Sequence, residues 1–101
     1  MAYVNVRNDV LAVGITSVNV SPEPIGKKRK AIVLTNTSAG AHIISICLGD
    51  NAALQNRGIP LQVNERMVDV SSEGYECYQG PIKCISSLAG GQLTILERFE
   101  D

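Results

Sequence analysis

A nucleophile–base pair in this chain would have to use His42, the single imidazole. Ser45 lies three residues further on, and in an extended segment that spacing sends the two side chains to opposite faces. No Gly-x-Ser-x-Gly elbow is present to raise a serine above a sheet. His42 therefore reads as a histidine at the start of a strand, beside a turn. Carboxylates that could share acid–base work are Asp69 with Glu73 and Glu97 with Glu100. They fall near loop ends or the C-terminus, and the chain has no Trp, one Phe and three Tyr to build a sugar platform. Solvated surface charge is the better account of them. Gly26-Lys27-Lys28 has the end of a phosphate-binding loop without its earlier glycine, its following Ser or Thr, or a helix behind it. No nucleotide site follows from it.

The cysteines, Cys47, Cys77 and Cys84, are three in number and form no Cys-x-x-Cys pair. One histidine and no close ligand pair give zinc nothing to bind, so no cofactor or metal is expected. Each cysteine lies in or beside an apolar stretch, where a reduced thiol behaves as a small hydrophobe. A Cys77–Cys84 bridge would require residues 78–83 to fold back as a tight loop. With no catalytic or metal motif, the chain reads as a non-enzyme.

The most unusual local feature is the basic run Lys27, Lys28, Arg29 and Lys30. It suits a solvated loop whose lysines guard a strand end against edge-to-edge pairing, or a patch that docks on an acidic protein surface; nuclear import and nucleic-acid contact are the other readings. The C-terminal Glu97-Arg98-Phe99-Glu100-Asp101 is net acidic. Lys27, Lys28, Arg29 and Lys30 set against Glu97, Glu100 and Asp101 would suit a self-complementary contact between copies. These seven are the candidate interaction residues.

The elements that position them are short and extended. Val, Ile and Thr together supply 24 of the 101 residues, and β-branched side chains favour strands. Residues 2–7 alternate, Val4 and Val6 against Tyr3, Asn5 and Arg7, and Asn8-Asp9 supplies a turn. A longer extended segment covers 10–20, in which Gly14 marks a bulge or a switch of sheet. Pro22 and Pro24 break the chain, and strands follow at 31–35 and 42–48. Residues 51–58 are ambiguous, with one helical turn available at 52–55 before Asn56-Arg57-Gly58 stops it. Short strands are expected at 59–63, 66–71 and 82–88, with 75–78 extended. Ala89-Gly90-Gly91-Gln92 is the best hairpin turn. In the closing strand Leu93, Ile95, Glu97 and Phe99 share one face.

These elements predict a single all-β domain over residues 1–101, an antiparallel β-sandwich of about eight short strands, jelly-roll or immunoglobulin-like, with a small barrel as the runner-up. The net charge of −1 is too balanced for a protein that works by neutralising phosphates, so nucleic acid is an unlikely partner. No run approaches the roughly 20 apolar residues of a membrane-spanning helix. The N-terminal residues lack the basic-then-apolar order of a signal peptide, which points to synthesis and residence in a cytoplasm.

The progression Arg29-Lys30-Ala31-Ile32-Val33-Leu34-Thr35-Asn36-Thr37-Ser38, Ile43 to Gly49, Gly58-Ile59-Pro60-Leu61, Tyr78 to Ser86 and Leu93-Thr94-Ile95-Leu96-Glu97 resembles small β-sandwich modules of bacteriophage virion proteins, of the capsid decoration, vertex and head-fibre kind. The resemblance implies a non-enzymatic virion component, made in the host cytoplasm and present in many copies. Its implied partners are other copies of itself, as a trimer or pentamer, and the major capsid protein or another virion protein. The alternative function is a small carbohydrate- or ligand-binding sandwich using Tyr75, Tyr78 and the loop from Asn51 to Gly58. The segment 2–7 is expected to pair within its own sheet; the other arrangement is an arm added to a neighbour's sheet.

Overall fold

A computed structural model describes residues 4–100. Met1–Tyr3, and with them the start of the expected first strand, lie outside the described residues, as does Asp101. Eight strands are present: β1 (Val4–Val13), β2 (Val18–Ser21), β3 (Lys28–Asn36), β4 (Ile44–Leu48), β5 (Ile59–Leu61), β6 (Arg66–Val70), β7 (Ile82–Ser86) and β8 (Gly91–Glu100). They form two four-stranded antiparallel sheets with the orders β1-β8-β3-β6 and β2-β7-β4-β5. Both sheets interleave early and late strands, and that order is a jelly roll rather than an immunoglobulin sandwich.

The two sheets bury one layer of aliphatic side chains. Ile32, Leu34, Leu93 and Ile95 from the first sheet meet Ile44, Ile46, Ile82 and Cys84 from the second, all 0–1% exposed. Alternation produces this: β3 sends Ile32 and Leu34 inward while Val33 and Thr35 face out, and β8 does the same with Leu93 and Ile95 against Thr94 and Leu96. Asn36 ends the inward row, donating from Nδ2 to the carbonyls of His42 (2.9 Å) and Leu61 (2.8 Å). A buried amide placed there satisfies loop carbonyls that water cannot reach.

Three local expectations change. Asn8-Asp9 is not a turn; β1 runs through it in unbroken register with β8, from Val4 opposite Glu100 to Val13 opposite Gly91. Residues 52–55 form no helix. The turn at Ala89–Gln92 does not close a hairpin, since β7 belongs to one sheet and β8 to the other. Gly90 has the positive φ expected of that turn, 78°, but the chain uses it to cross between layers. Gly14, where β1 gives way to the loop before β2, marks a change of sheet as its position in the sequence suggested. Residues 4–7 pair within their own sheet.

All three cysteines are free. Cys77 Sγ–H donates to the Arg29 carbonyl at 3.0 Å. Burial, with a smaller contribution from the neighbouring Cys47, pushes the Cys84 thiol up to about 12. A thiolate is the nucleophile, so a thiol held this high stays unreactive through mildly alkaline conditions. Iodoacetamide should add one label to the folded protein, at the half-buried Cys47, and three once it is unfolded. Intact-mass spectrometry reads the count, and a labelled Cys84 in folded protein would contradict this packing.

Candidate functional site

Of the seven charged candidates, Asp101 lies outside the described residues, and the other six do not form one exposed patch, because Arg29 and Glu97 are buried. The structure places Lys28, Arg29 and Lys30 on β3 beside the acidic end of β8, its antiparallel neighbour, with Lys27 just before the strand, and Arg29 and Lys30 pair with Glu97 and Glu100 across the two strands. Lys30 Nζ lies 3.6 Å from Glu100 Oε2, and Lys28 Nζ lies 3.7 Å from Glu76 Oε1. Lys27 Nζ sits 4.3 Å from the centre of the Phe99 ring, a cation–π distance.

Arg29 and Glu97 require a correction: both side chains are fully buried and neither can serve as a surface contact. Strict alternation from Ile32 and Leu34 would turn Lys30 inward and Arg29 outward. An irregularity between Arg29 and Ala31 in the pairing with β8 resets the register and swings Arg29 into the sandwich. Its Nε donates to Glu97 Oε2 at 3.0 Å. Nη1 donates to the carbonyls of Tyr78 (2.7 Å) and Gly80 (2.9 Å), and Nη2 to Ser21 Oγ (2.9 Å) and the Pro22 carbonyl (3.2 Å). One guanidinium thus ties the β2–β3 and β6–β7 connections to β3.

Glu97 is the centre of the network. It accepts from Arg29, from Ser21 Oγ at 2.7 Å and from Arg7 Nη1 at 2.6 Å. Burial alone would lower the Arg7 pKa, but hydrogen bonds and charge from Glu97 and Asp9 outweigh it and hold the group above its ordinary value. Asp9 is held below the usual carboxylate range, first by the Val10 N–H and then by Arg7. Arg7 and Ser21 were missed in the sequence. The signal that could have found them is Glu97 itself, which shares a face with Leu93, Ile95 and Phe99 and so demands buried donors. With three donors on its oxygens, Glu97 works as a clamp. A groove of about 460 Å³ opens above it, walled by Arg7, Pro22, Ile25, Lys27 and Phe99.

The remaining chemistry-bearing residues are also engaged locally. His42 Nε2 donates to the Ala89 carbonyl at 2.8 Å, while Ser45 Oγ accepts from the Asn56 N–H at 3.0 Å, so the two do not meet. Asp69 accepts from Tyr75 Oη and from the Tyr78 N–H. Tyr78 packs half-buried against the core. The 51–58 loop is tied instead to Ser17, Ser45 and Ser86, and no hydrogen bond among the described residues joins it to either tyrosine. Groups of three or more His, Cys, Asp or Glu side chains able to hold a metal are absent among the described residues.

The feature left without an internal purpose is the outer face of the β1-β8-β3-β6 sheet. Pairing aligns three rows across it: Val6–Arg98–Ala31–Val70, Asn8–Leu96–Val33–Val68 and Val10–Thr94–Thr35–Arg66. Val6, Val10 and Val68 are more than half exposed, at 56%, 60% and 57%, and Val70 and Leu96 are exposed beside them. Single exposed aliphatic residues are ordinary, but five on one sheet face make that face the candidate contact surface. The charges within these rows, Arg66 and Arg98, form no ion pair among the described residues. Compared with protein-family models, with curated proteins and with solved structures, the chain matches none.

Proposed function

We propose that this protein is a non-enzymatic structural component of a phage-like particle, a capsid decoration or vertex protein that acts by docking. The observation that carries the reading is the apolar outer sheet face with Arg66 and Arg98 set into it. Such a face fits a shell surface that is apolar at its centre and carboxylate-bearing around it: the valines and Leu96 supply buried area, and the arginines supply orientation through bidentate pairs. The strand order adds support by analogy of fold, since jelly rolls build viral capsid domains as well as lectins. The charged side chains at the β3–β8 margin, paired within the chain, contribute little to docking.

An antibody raised against the recombinant protein should label particles banded on a density gradient from a culture that carries the gene. The double substitution Val68→Arg/Leu96→Arg, confined to the outer face, should leave the fold intact by circular dichroism and remove the label from the particle band. Wild-type protein found only in the soluble fraction, or a double variant that still bands with particles, would overturn the reading.

A further inference from the structure

We propose that two copies of this chain join edge to edge through β1, antiparallel and centred on Asn8, so that their β1-β8-β3-β6 sheets become one continuous eight-stranded sheet. This contact goes beyond docking on a particle and is testable without one.

The sandwich has four edge strands, and three are poor templates for pairing. β5 is three residues long and contains Pro60, β2 is four residues long and irregular in register, and β6 has five residues. β1 is ten residues long, has no Pro, Gly or Lys, and keeps unbroken register with β8. Short strands, prolines, lysines, bulges and inward-pointing charges are devices by which proteins protect an edge; β1 carries only the last, Arg7 and Asp9, and those two charges are of opposite sign. Its free amides can be identified. The Val10 N–H donates to Oδ1 of the preceding residue, Asp9, at 2.8 Å, and so it points away from β8. Alternation then directs the N–H and C=O groups of Val6, Asn8 and Val10 to the open side, and those of Arg7, Asp9 and Leu11 toward β8.

The side chains of this edge are self-complementary. The segment Val6-Arg7-Asn8-Asp9-Val10 is symmetric about Asn8, with charges of opposite sign on its two sides. Pairing about Asn8 sets Val6 of each copy opposite Val10 of the other, and Arg7 opposite Asp9. Asn8 meets its own counterpart in a hydrogen-bonded pair, so Arg7 and Asp9 fall in the flanking non-hydrogen-bonded pairs, where side chains approach most closely. Arg7 and Asp9 already interact within one chain at 3.2 Å; across the two-fold the same charges pair between chains, and Asp9 yields the Val10 amide to the Val6 carbonyl of the other copy. A shift by one residue would place valine against charge and a shift by two would oppose like charges, so the pattern specifies one register. Val6 and Val10, the exposed residues of the outer face nearest this edge, become two valine pairs at the seam, one on each side of the central Asn8 pair.

Size exclusion with light scattering on the purified protein should give twice the 10.8 kDa chain mass. Asn8→Pro removes an N–H that β8 does not use and blocks the central pair, and this variant should run as a monomer. Asp9→Lys leaves every backbone amide in place, sets lysine opposite Arg7, and should weaken association roughly tenfold. Hydrogen exchange makes the test specific. The Val6 and Asn8 amides should be slow in wild type, and the Val6 amide fast in Asn8→Pro and faster than wild type in Asp9→Lys, while Arg7 and Leu11 stay slow in all three proteins and certify the fold. A wild type that remains monomeric up to about millimolar concentration, a trimer or pentamer, or an Asp9→Lys protein with undiminished association would each overturn the proposal.

Discussion

Glu97→Gln should lower the free energy of unfolding by roughly 3–5 kcal/mol and drop Tm by at least ~12 °C. The reason is asymmetric. Removing both members of a buried ion pair can be nearly neutral, but removing one leaves the other charged and dry. Glutamine keeps the shape of Glu97 and can still accept from one donor, yet it leaves Arg29, fully buried, and Arg7 beside it with no negative charge inside the sandwich. Arg29 holds four backbone and side-chain acceptors besides Glu97, so it cannot swing out to water without releasing the β2–β3 and β6–β7 connections. Urea or thermal denaturation measures the effect directly. A loss below about 1 kcal/mol, the range of exposed pairs such as Lys30–Glu100, would mean that Glu97 is solvated.

The second large effect is expected at Gly58. Its φ is +68°, a conformation that costs an L-residue roughly 1–2 kcal/mol. A Cβ at this position would also drive into the Ile46 carbonyl oxygen, and would stand 3.1 Å from its carbon and 3.3 Å from Cys47 Cα. All three atoms are backbone of β4, which is paired on both sides and cannot retreat. Gly58→Ala should therefore cost about 2–5 kcal/mol, the conformational and overpacking penalties together. Gly90 is the matched control. Its φ is +78° but nothing lies within 4 Å of its would-be Cβ, so Gly90→Ala should cost only about 1–2 kcal/mol. Equal losses at the two positions would show that the close approach to Ile46 is not present.

What the sequence disclosed follows from which physics is local. Period-two alternation placed β8, and with it Leu93 and Ile95 of the core, while apolar runs bounded by turns placed β3 and β4. The Pro22–Pro24 break and Gly14 marked where strands end. Layer membership was not legible: turn chemistry at Ala89–Gln92 says that the backbone takes a positive φ, not whether the next strand joins the same sheet. Arg29 misled for a related reason. The four-cation run looks solvated, and the one-residue irregularity that reverses its facing depends on pairing with β8, a strand more than 60 residues away. Glu97 was visible on the apolar face, but its partners Arg7 and Ser21 come from β1 and β2, strands of different sheets, and only the fold assembles them. The outer valines were equally ambiguous, because Val6 and Val10 alternate as a buried face would.

Of the seven links between successive strands, only β4–β5 joins neighbours in one sheet; the others cross the sandwich. β1 meets no partner until β8 arrives, so during synthesis every strand through β8 must leave the ribosome before the first sheet can close. This is a topology of distant contacts, and such domains reach their native state in milliseconds to seconds rather than microseconds. Throughout that interval the Val4–Val13 segment is an unclaimed strand in search of a neighbour. Productive folding is then a competition for that strand between β8 of its own chain and the chains being made beside it, and the outcome depends on how densely those chains are being produced.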